Sequence, residues 1–420
     1  MEVRKRLKES DLAVVPEEEL RARHARLRNG MARLAPDAGG LLLLGDVNIL
    51  YASGTLAAGL VWLPREGEPL LLVRRARDRA AWESSLPLAS YRSYGDVPGL
   101  CAGAGVPLPA DAPVLVDMAW TTWSAGQLLQ ARLKGVTLVS GDTVVRLARM
   151  TKTPWEIARM AEAGRRQAAC LRELGGWLRP GMREGAVFQM LESLYHEAGH
   201  DGLVRIAPPG RAVPGCVSAG ASALLTTAFD GPLGTVGGTP AMPFGGNAAA
   251  IWKSGEILAV DVPFAWQGYV ADRTQCFWDA TVPVPDALRR AHDCCRAVET
   301  ALVARLRPGV TPSSLWEEAS AIAASHGFSG GFMGCGPDQA RFVGHGIGLE
   351  MDEFPAIARK FDIPLEEGAV IALEPKIALP PYGMIGLEHT FAVTPSGGRA
   401  LNAGTDGDSP GAAPFPAMML

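Results

Sequence analysis

The sequence predicts an α+β chain, and three observations carry that expectation. Short apolar runs alternate with helix-like stretches over residues 40–145, amphipathic helical patterns recur after residue 150, and between those helices lie strand pairs that end in carboxylates. In the first part, the runs 41–44, 70–73, 114–116 and 137–139 read as strands of an α/β layer. A helix is expected to begin at Thr153-Pro154-Trp155-Glu156, because Thr at the cap, Pro at the first position and Glu at the third satisfy the free amides of the first turn. Its apolar face is Ile157, Met160, Ala161, Gly164, Ala168 and Leu171. Further helical patterns cover 187–198, 287–306 and 315–325, with Gly199, Pro308 and Gly327 as stops.

The strand pairs carry the chemistry. Glu256-Ile-Leu-Ala-Val-Asp261 and Tyr269-Val-Ala-Asp272 read as a hairpin, and a turn centred between Trp266 and Gln267 would set Asp261 directly opposite Asp272. Two carboxylates about 5 Å apart repel unless one is protonated or a cation lies between them; a different register, with side chains turned to water, is the alternative. The pattern recurs in Ala369-Val-Ile-Ala-Leu-Glu374 and Met384-Ile-Gly-Leu-Glu388, which flank Pro380-Pro381-Tyr382 with 374 and 388 equidistant from Pro381. Each Glu ends an apolar run, where an isolated charge is costly. One shared metal cluster accounts for both pairs. His345, in Arg341-Phe-Val-Gly-His345-Gly-Ile-Gly-Leu, adds a ligand of another type, with glycines on both sides that permit close backbone approach.

With these residues in view, the chain resembles the pita-bread metallohydrolases, the family of aminopeptidase P, prolidase and methionine aminopeptidase. The resemblance rests on Leu258-Ala-Val-Asp261, Gly268-Tyr-Val-Ala-Asp272-Arg-Thr274, Gly344-His345-Gly-Ile-Gly-Leu, Ala372-Leu-Glu374-Pro375 and Gly386-Leu-Glu388, in the family's order. It implies that Asp261 binds one metal, His345 and Glu374 the other, and that Asp272 and Glu388 bridge both. Upstream, Arg23-His-Ala-Arg-Leu-Arg-Asn-Gly, Gly40-Leu-Leu-Leu-Leu, Asn48-Ile-Leu-Tyr-Ala-Ser-Gly54 and Gly67-Glu-Pro-Leu-Leu-Leu-Val73 look like a creatinase-type amino-terminal domain, and Arg149-Met-Thr-Lys152-Thr-Pro looks like the junction. The expected division is 1–150 for that domain, 151–402 for the pita-bread domain, and 403–420 for a loose Gly, Pro and Ala-rich tail.

Two departures bear on substrate. The family's peptidases carry a histidine ahead of the first metal Asp and another shortly after the metal His; here those stretches read Ala241-Met-Pro-Phe244-Gly-Gly-Asn247 and Glu350-Met351-Asp352-Glu353. Phe244 and Asp352 are therefore candidate substrate contacts. An ionised Asp352 accepts hydrogen bonds but donates none. Gln275 also stands where the family commonly has Arg. The segment 230–247, rich in Gly and Pro, has no helical or strand period and reads either as a substrate-lining loop or as a plain surface loop.

Four carboxylates and one imidazole suit divalent Mn, Co, Zn or Fe, Mn foremost, and argue mildly against Ca or Mg. Two such ions about 3.5–4 Å apart would share a water and present it as hydroxide to an amide carbonyl. Glu374 is the ligand expected also to carry the proton to the leaving amine. The expected activity is that of an Xaa-Pro aminopeptidase or dipeptidase, with a C–N hydrolase or lyase acting on a small non-peptide molecule as the alternative. A third reading, a binding module on a dead scaffold, needs the ligands to be gone.

Composition fits these readings. With 420 residues, 48% hydrophobic and 20% charged, the chain can bury two cores and is neither disordered nor membrane-like. A net charge of −4 gives no reason to expect nucleic acid. The charged start and the absence of a bilayer-length apolar run point to a cytoplasmic protein that does not engage membrane, and the family resemblance implies a homodimer. Seven cysteines, scattered apart from the adjacent Cys294-Cys295 and without Cys-x-x-Cys, fit a reducing compartment; Cys335, in Gly334-Cys-Gly336 ahead of His345, reads as an inert thiol.

Overall fold

A computed structural model describes residues 14–206 and 212–402. The opening charged segment, residues 207–211 and the expected tail at 403–420 lie outside the described residues. Two compact units emerge, one within Met1–Arg149 and one from Met150 onward.

In the first unit the apolar runs become strands of a six-stranded sheet. Gly40–Leu43 pairs antiparallel with Gly59–Pro64 and parallel with Val114–Val116; Leu70–Val73 and Leu88–Ser90 extend one edge, and Leu138–Ser140 the other. Leu42, Leu60, Trp62, Leu72 and Val114 are fully buried in its core. The chain leaves the central strand over Asp117, whose buried carboxylate accepts hydrogen bonds from Leu44 N at 2.8 Å, Gly45 N at 2.9 Å and Asn48 Nδ2 at 2.8 Å. Burial pushes this carboxyl up to about 6, while those donors act to hold it down. Asp117→Ala is expected to cost about 2–4 kcal/mol, since two amides and a carboxamide lose their acceptor in a dry setting. Urea unfolding checks this, and a loss below about 1 kcal/mol would contradict it.

In the second unit the helix at Pro154–Trp177 starts as expected. Thr153 accepts from Glu156 N at 3.1 Å, and Glu156 accepts from Thr153 N at 2.9 Å, which completes a capping box. Helices Glu184–Glu197, Asp286–Arg305 and Pro312–Ser325 follow. Between them run a three-stranded sheet, in the order Thr274–Phe277, Leu258–Asp261, Cys216–Ala219, and a five-stranded sheet, in the order Glu353–Ala358, Phe342–Gly346, Val370–Leu373, His389–Thr394, Gly397–Ala400. Two ribbons, Phe264–Trp266 with Tyr269–Ala271 and Lys376–Leu379 with Gly383–Gly386, continue these sheets beyond short breaks in pairing. Val217, Leu258, Val260, Phe264 and Phe277 pack against Leu171, Leu174, Leu191 and Tyr195 of the first two helices, so one face of the three-stranded sheet is sealed. The segment 230–247 forms no helix and no named strand; its ladder contacts are single bridges at Thr239 and Met242 and at Gly245. Among the described residues no helix is long and apolar enough to cross a membrane.

Candidate metal centre

The second hairpin has the register the sequence predicts. Lys376 pairs with Gly386 and Ile377 with Ile385, while further out Leu373 pairs with His389, so Glu374 and Glu388 face each other across the break between ribbon and sheet. The first hairpin turns one position later than expected, so its pairing is shifted by two residues. Trp266 pairs with Tyr269, which centres the turn between Gln267 and Gly268 and sets Asp261 opposite Thr274 instead of Asp272. The physical reason lies in the turn: Gln267 and Gly268 both adopt positive φ, 50° and 84°, and a two-residue turn of this hand suits the strand twist. Asp201 holds it by accepting both turn amides, Gln267 N at 3.1 Å and Gly268 N at 2.6 Å. Asp272 lies in the break that follows the ribbon. Its main chain is fixed by Thr390 and Asn402, and Arg273 N donates to its carboxylate at 3.0 Å.

His345 comes in on Phe342–Gly346, paired with Ala372 on one side and Ala356 on the other. The flanking glycines are a steric requirement: a Cβ at Gly344 would stand 2.3 Å from Ala372 O, and one at Gly346 2.4 Å from Phe354 O. His345 Nε2 is 3.7 Å from both Glu374 Oε1 and Glu388 Oε1. Nδ1 is 3.1 Å from Gly346 O, the contact that can fix the tautomer leaving Nε2 free for a metal.

The five candidates thus converge. Ligand atoms of Asp272, His345 and Glu388 lie within 4.8 Å of one another, as do those of Asp261, Glu374 and Glu388, with Glu388 common to both sets. All but the partly exposed Asp261 are buried. Burial, with the Glu388 and Asp261 carboxylates nearby, pushes Asp272 well above the usual carboxylate range. Burial lifts Asp261 to about 6 and Glu374 to about 7. Burial acts the same way on Glu388, but Lys376 and His345 overcome it and hold this acid at about 2. His345 is raised in spite of burial by its acidic neighbours, Glu388 foremost. Closely set acids that oppose one another's ionisation in a dry site are the electrostatic condition a divalent cation relieves, and a mixed oxygen and nitrogen donor set suits Mn, Co, Zn or Fe.

One residue of the cluster is absent from the expectation above. Lys376, fully buried, places Nζ 2.6 Å from Glu374 Oε2, 3.1 Å from Glu388 Oε2 and 3.4 Å from Asp261 Oδ2. The signal was available, because position 376 shares a strand face with 374. Its stem runs over Gly386, where a Cβ would stand 2.5 Å from Lys376 Cγ. The residues therefore fit a divalent ion beside Asp272, His345 and Glu388, whereas the other triad already surrounds a cation. Thr274 Oγ1 donates to Glu388 Oε2 at 2.8 Å, and Gln275 accepts from Arg273 Nη2 at 3.1 Å.

The two candidate substrate contacts lie near this cluster. Asp352 Oδ1 is 3.6 Å from His345 Nδ1, and Glu353 secures the preceding loop by accepting from Leu349 N, Glu350 N and Lys152 Nζ. Phe244 stacks on Phe229 at 5.1 Å, and its neighbour Gly245 bridges Cys216, the strand partner of Asp261. Cys335 is exposed and the other six cysteines are buried and free.

Comparison with known proteins shows the family of the chain. Residues 158–395 match the model of metallopeptidase family M24, and residues 23–151 match that of the creatinase/prolidase N-terminal domain. An Xaa-Pro dipeptidase of Lactobacillus delbrueckii subsp. lactis is 30% identical over 146 residues, 34% of this chain and 36% of that protein. An uncharacterized peptidase, YqhT, of Bacillus subtilis is 24% identical over 56% of this chain and 57% of its own length. The chain thus spans less than two thirds of either relative. Among solved structures, an Xaa-Pro dipeptidase from Bacillus anthracis superposes with a TM-score of 0.75 at 19% identity, covering 92% of this chain and 98% of that one. A prolidase from Pyrococcus horikoshii OT3 gives 0.71 at 20% identity, covering 90% and 97%. These two show the shared fold. The match of the family model over more than half of the chain establishes that it belongs to metallopeptidase family M24, with the pita-bread fold and a creatinase-type amino-terminal domain.

Proposed function

We propose that this chain is a divalent-metal-dependent hydrolase of amide bonds in small substrates, with Xaa-Pro peptides as the first class to test. The observation that carries the reading is the convergence of Asp261, Asp272, His345, Glu374 and Glu388 at one buried end of two strand pairs. Asp272, His345, Glu374 and Glu388 would hold an ion, and Asp261 completes the acidic set. An ion so held supplies a Lewis acid for the carbonyl and lowers the pKa of a water. Glu374 is the proton carrier in this reading: Oε1 faces His345, while Oε2 is anchored on Lys376, so the carboxylate is oriented before substrate arrives. His345 is fixed from behind through Nδ1. Mn is the first ion to try, then Co, Zn and Fe. The expectation of two ions and a shared hydroxide has to contend with Lys376 among three of the acids. The same reading keeps the division at 150/151, a homodimer and a cytoplasmic setting.

A second reading, hydrolysis or elimination at a C–N bond in a small non-peptide molecule, is favoured by Phe244 and Asp352. Neither side chain can donate a hydrogen bond to a developing oxyanion when Asp352 is ionised. The test is a panel of Xaa-Pro dipeptides, longer Xaa-Pro peptides and small amides, assayed with Mn²⁺, Co²⁺, Zn²⁺ and Fe²⁺ and again after chelation. Metal-dependent release of Xaa from Xaa-Pro supports the first reading. No Xaa-Pro turnover, with Phe244→His and Asp352→His unable to create it, supports the second.

A further inference from the structure

We propose that Lys376 is a resident cation that takes the place of one metal, so that the centre binds one divalent ion per chain instead of two. This deepens the reading above and rests on it.

The division of oxygens carries the inference. Glu374 and Glu388 each turn Oε1 toward His345 Nε2, at 3.7 Å in both cases, and Oε2 toward Lys376 Nζ, at 2.6 and 3.1 Å. Two carboxylates that share themselves between an imidazole and an ammonium are arranged as bridges between two cation positions. Position one is bordered by His345 Nε2 and the two Oε1 atoms, and the ligand atoms of Asp272, His345 and Glu388 lie within 4.8 Å of one another, close enough to hold an ion. Position two is bordered by Asp261 Oδ2 and the Oε2 atoms, and the ammonium fills it with three donors directed among three acids.

The fold supports the lysine in this place. Its side chain is fully buried, so the ammonium does not retreat to water, and removing a buried charge from its partners is unfavourable. Gly386 opposite it leaves room for the stem, since a Cβ there would stand 2.5 Å from Lys376 Cγ. Thr274 supplies a further donor to the same Glu388 oxygen, so that Oε2 is satisfied without a metal. A divalent ion entering position two would have to compete for the same oxygens and sit beside a like charge in a dry site. Lys376 touches no solvent and so acts as a positioning residue for Glu374 and Glu388.

The experiment counts ions. Full-length protein is stripped with chelator, loaded with Mn²⁺, desalted and analysed for metal content, with electron paramagnetic resonance on the same samples to separate isolated from spin-coupled Mn²⁺. The wild-type chain is expected to retain one ion with an uncoupled signal. Lys376→Ala and Lys376→Met are expected to retain two, with coupling between them. Two coupled ions in the wild-type chain would overturn the inference while leaving the metal-hydrolase reading intact. No retained ion in any of these chains would remove both. The wild-type count decides the matter even where a variant fails to fold.

Discussion

Glu388→Ala is expected to lower Mn²⁺ affinity by more than about a hundredfold, beyond what loss of an outer-shell partner alone costs. Glu388 is the one acid common to both ligand sets, and it also accepts from Thr274 and Lys376. Its removal therefore acts on the metal-free protein as well. Lys376 would keep its buried ammonium with one close partner fewer, a change worth about 3–5 kcal/mol when a buried pair is broken. Calorimetric Mn²⁺ titration and urea unfolding of the stripped protein measure the two effects separately. An affinity within about tenfold of wild type would show that Glu388 is not a ligand. Lost affinity with unchanged metal-free stability would show that Lys376 does not depend on it.

Glu374→Gln is expected to reduce kcat by about 10²–10⁴-fold on whichever amide the panel identifies, because the amide keeps the shape but takes no proton. The wild-type carboxylate is held between His345 and Lys376, and burial lifts it to about 7 before metal enters. KM should change less than kcat if the loss falls on the transition state. Metal content of the same sample separates a chemical defect from a binding defect. A variant that holds its ion and keeps its kcat would remove Glu374 from the proton-transfer role.

How much of this was legible depended on how local the determining geometry is. The pairing of Glu374 with Glu388 followed from counting outward from Pro381, because the strands stay in step across the break. Counting placed the first turn one position too early, which moves the partner of Asp261 by two residues, from Asp272 to Thr274. The Gln267-Gly268 turn demands left-handed backbone at both positions, and a glutamine gives weak notice of that. The helix start at Thr153 was legible because a capping box is written in four consecutive residues. In the amino-terminal unit the strands at Leu70–Val73 and Val114–Val116 follow the apolar runs, but their order in the sheet depends on pairings distant in sequence. The place of Lys376 is not legible in the sequence for a related reason. A lysine two residues after a glutamate reads as an exposed charge until the opposite strand is known to present a glycine and a second glutamate.

Asp272, His345, Glu374 and Glu388 are assigned as the ligands of a divalent cation, with Asp261 beside them on the Lys376 ammonium. Anomalous diffraction at the manganese edge from Mn²⁺-soaked crystals tests this assignment most directly. A single strong peak bounded by Asp272, His345, Glu374 and Glu388 is expected, with Lys376 Nζ still seated between Asp261 and the two glutamates. No peak within reach of those ligands, at an Mn²⁺ concentration that loads the protein in solution, would contradict it.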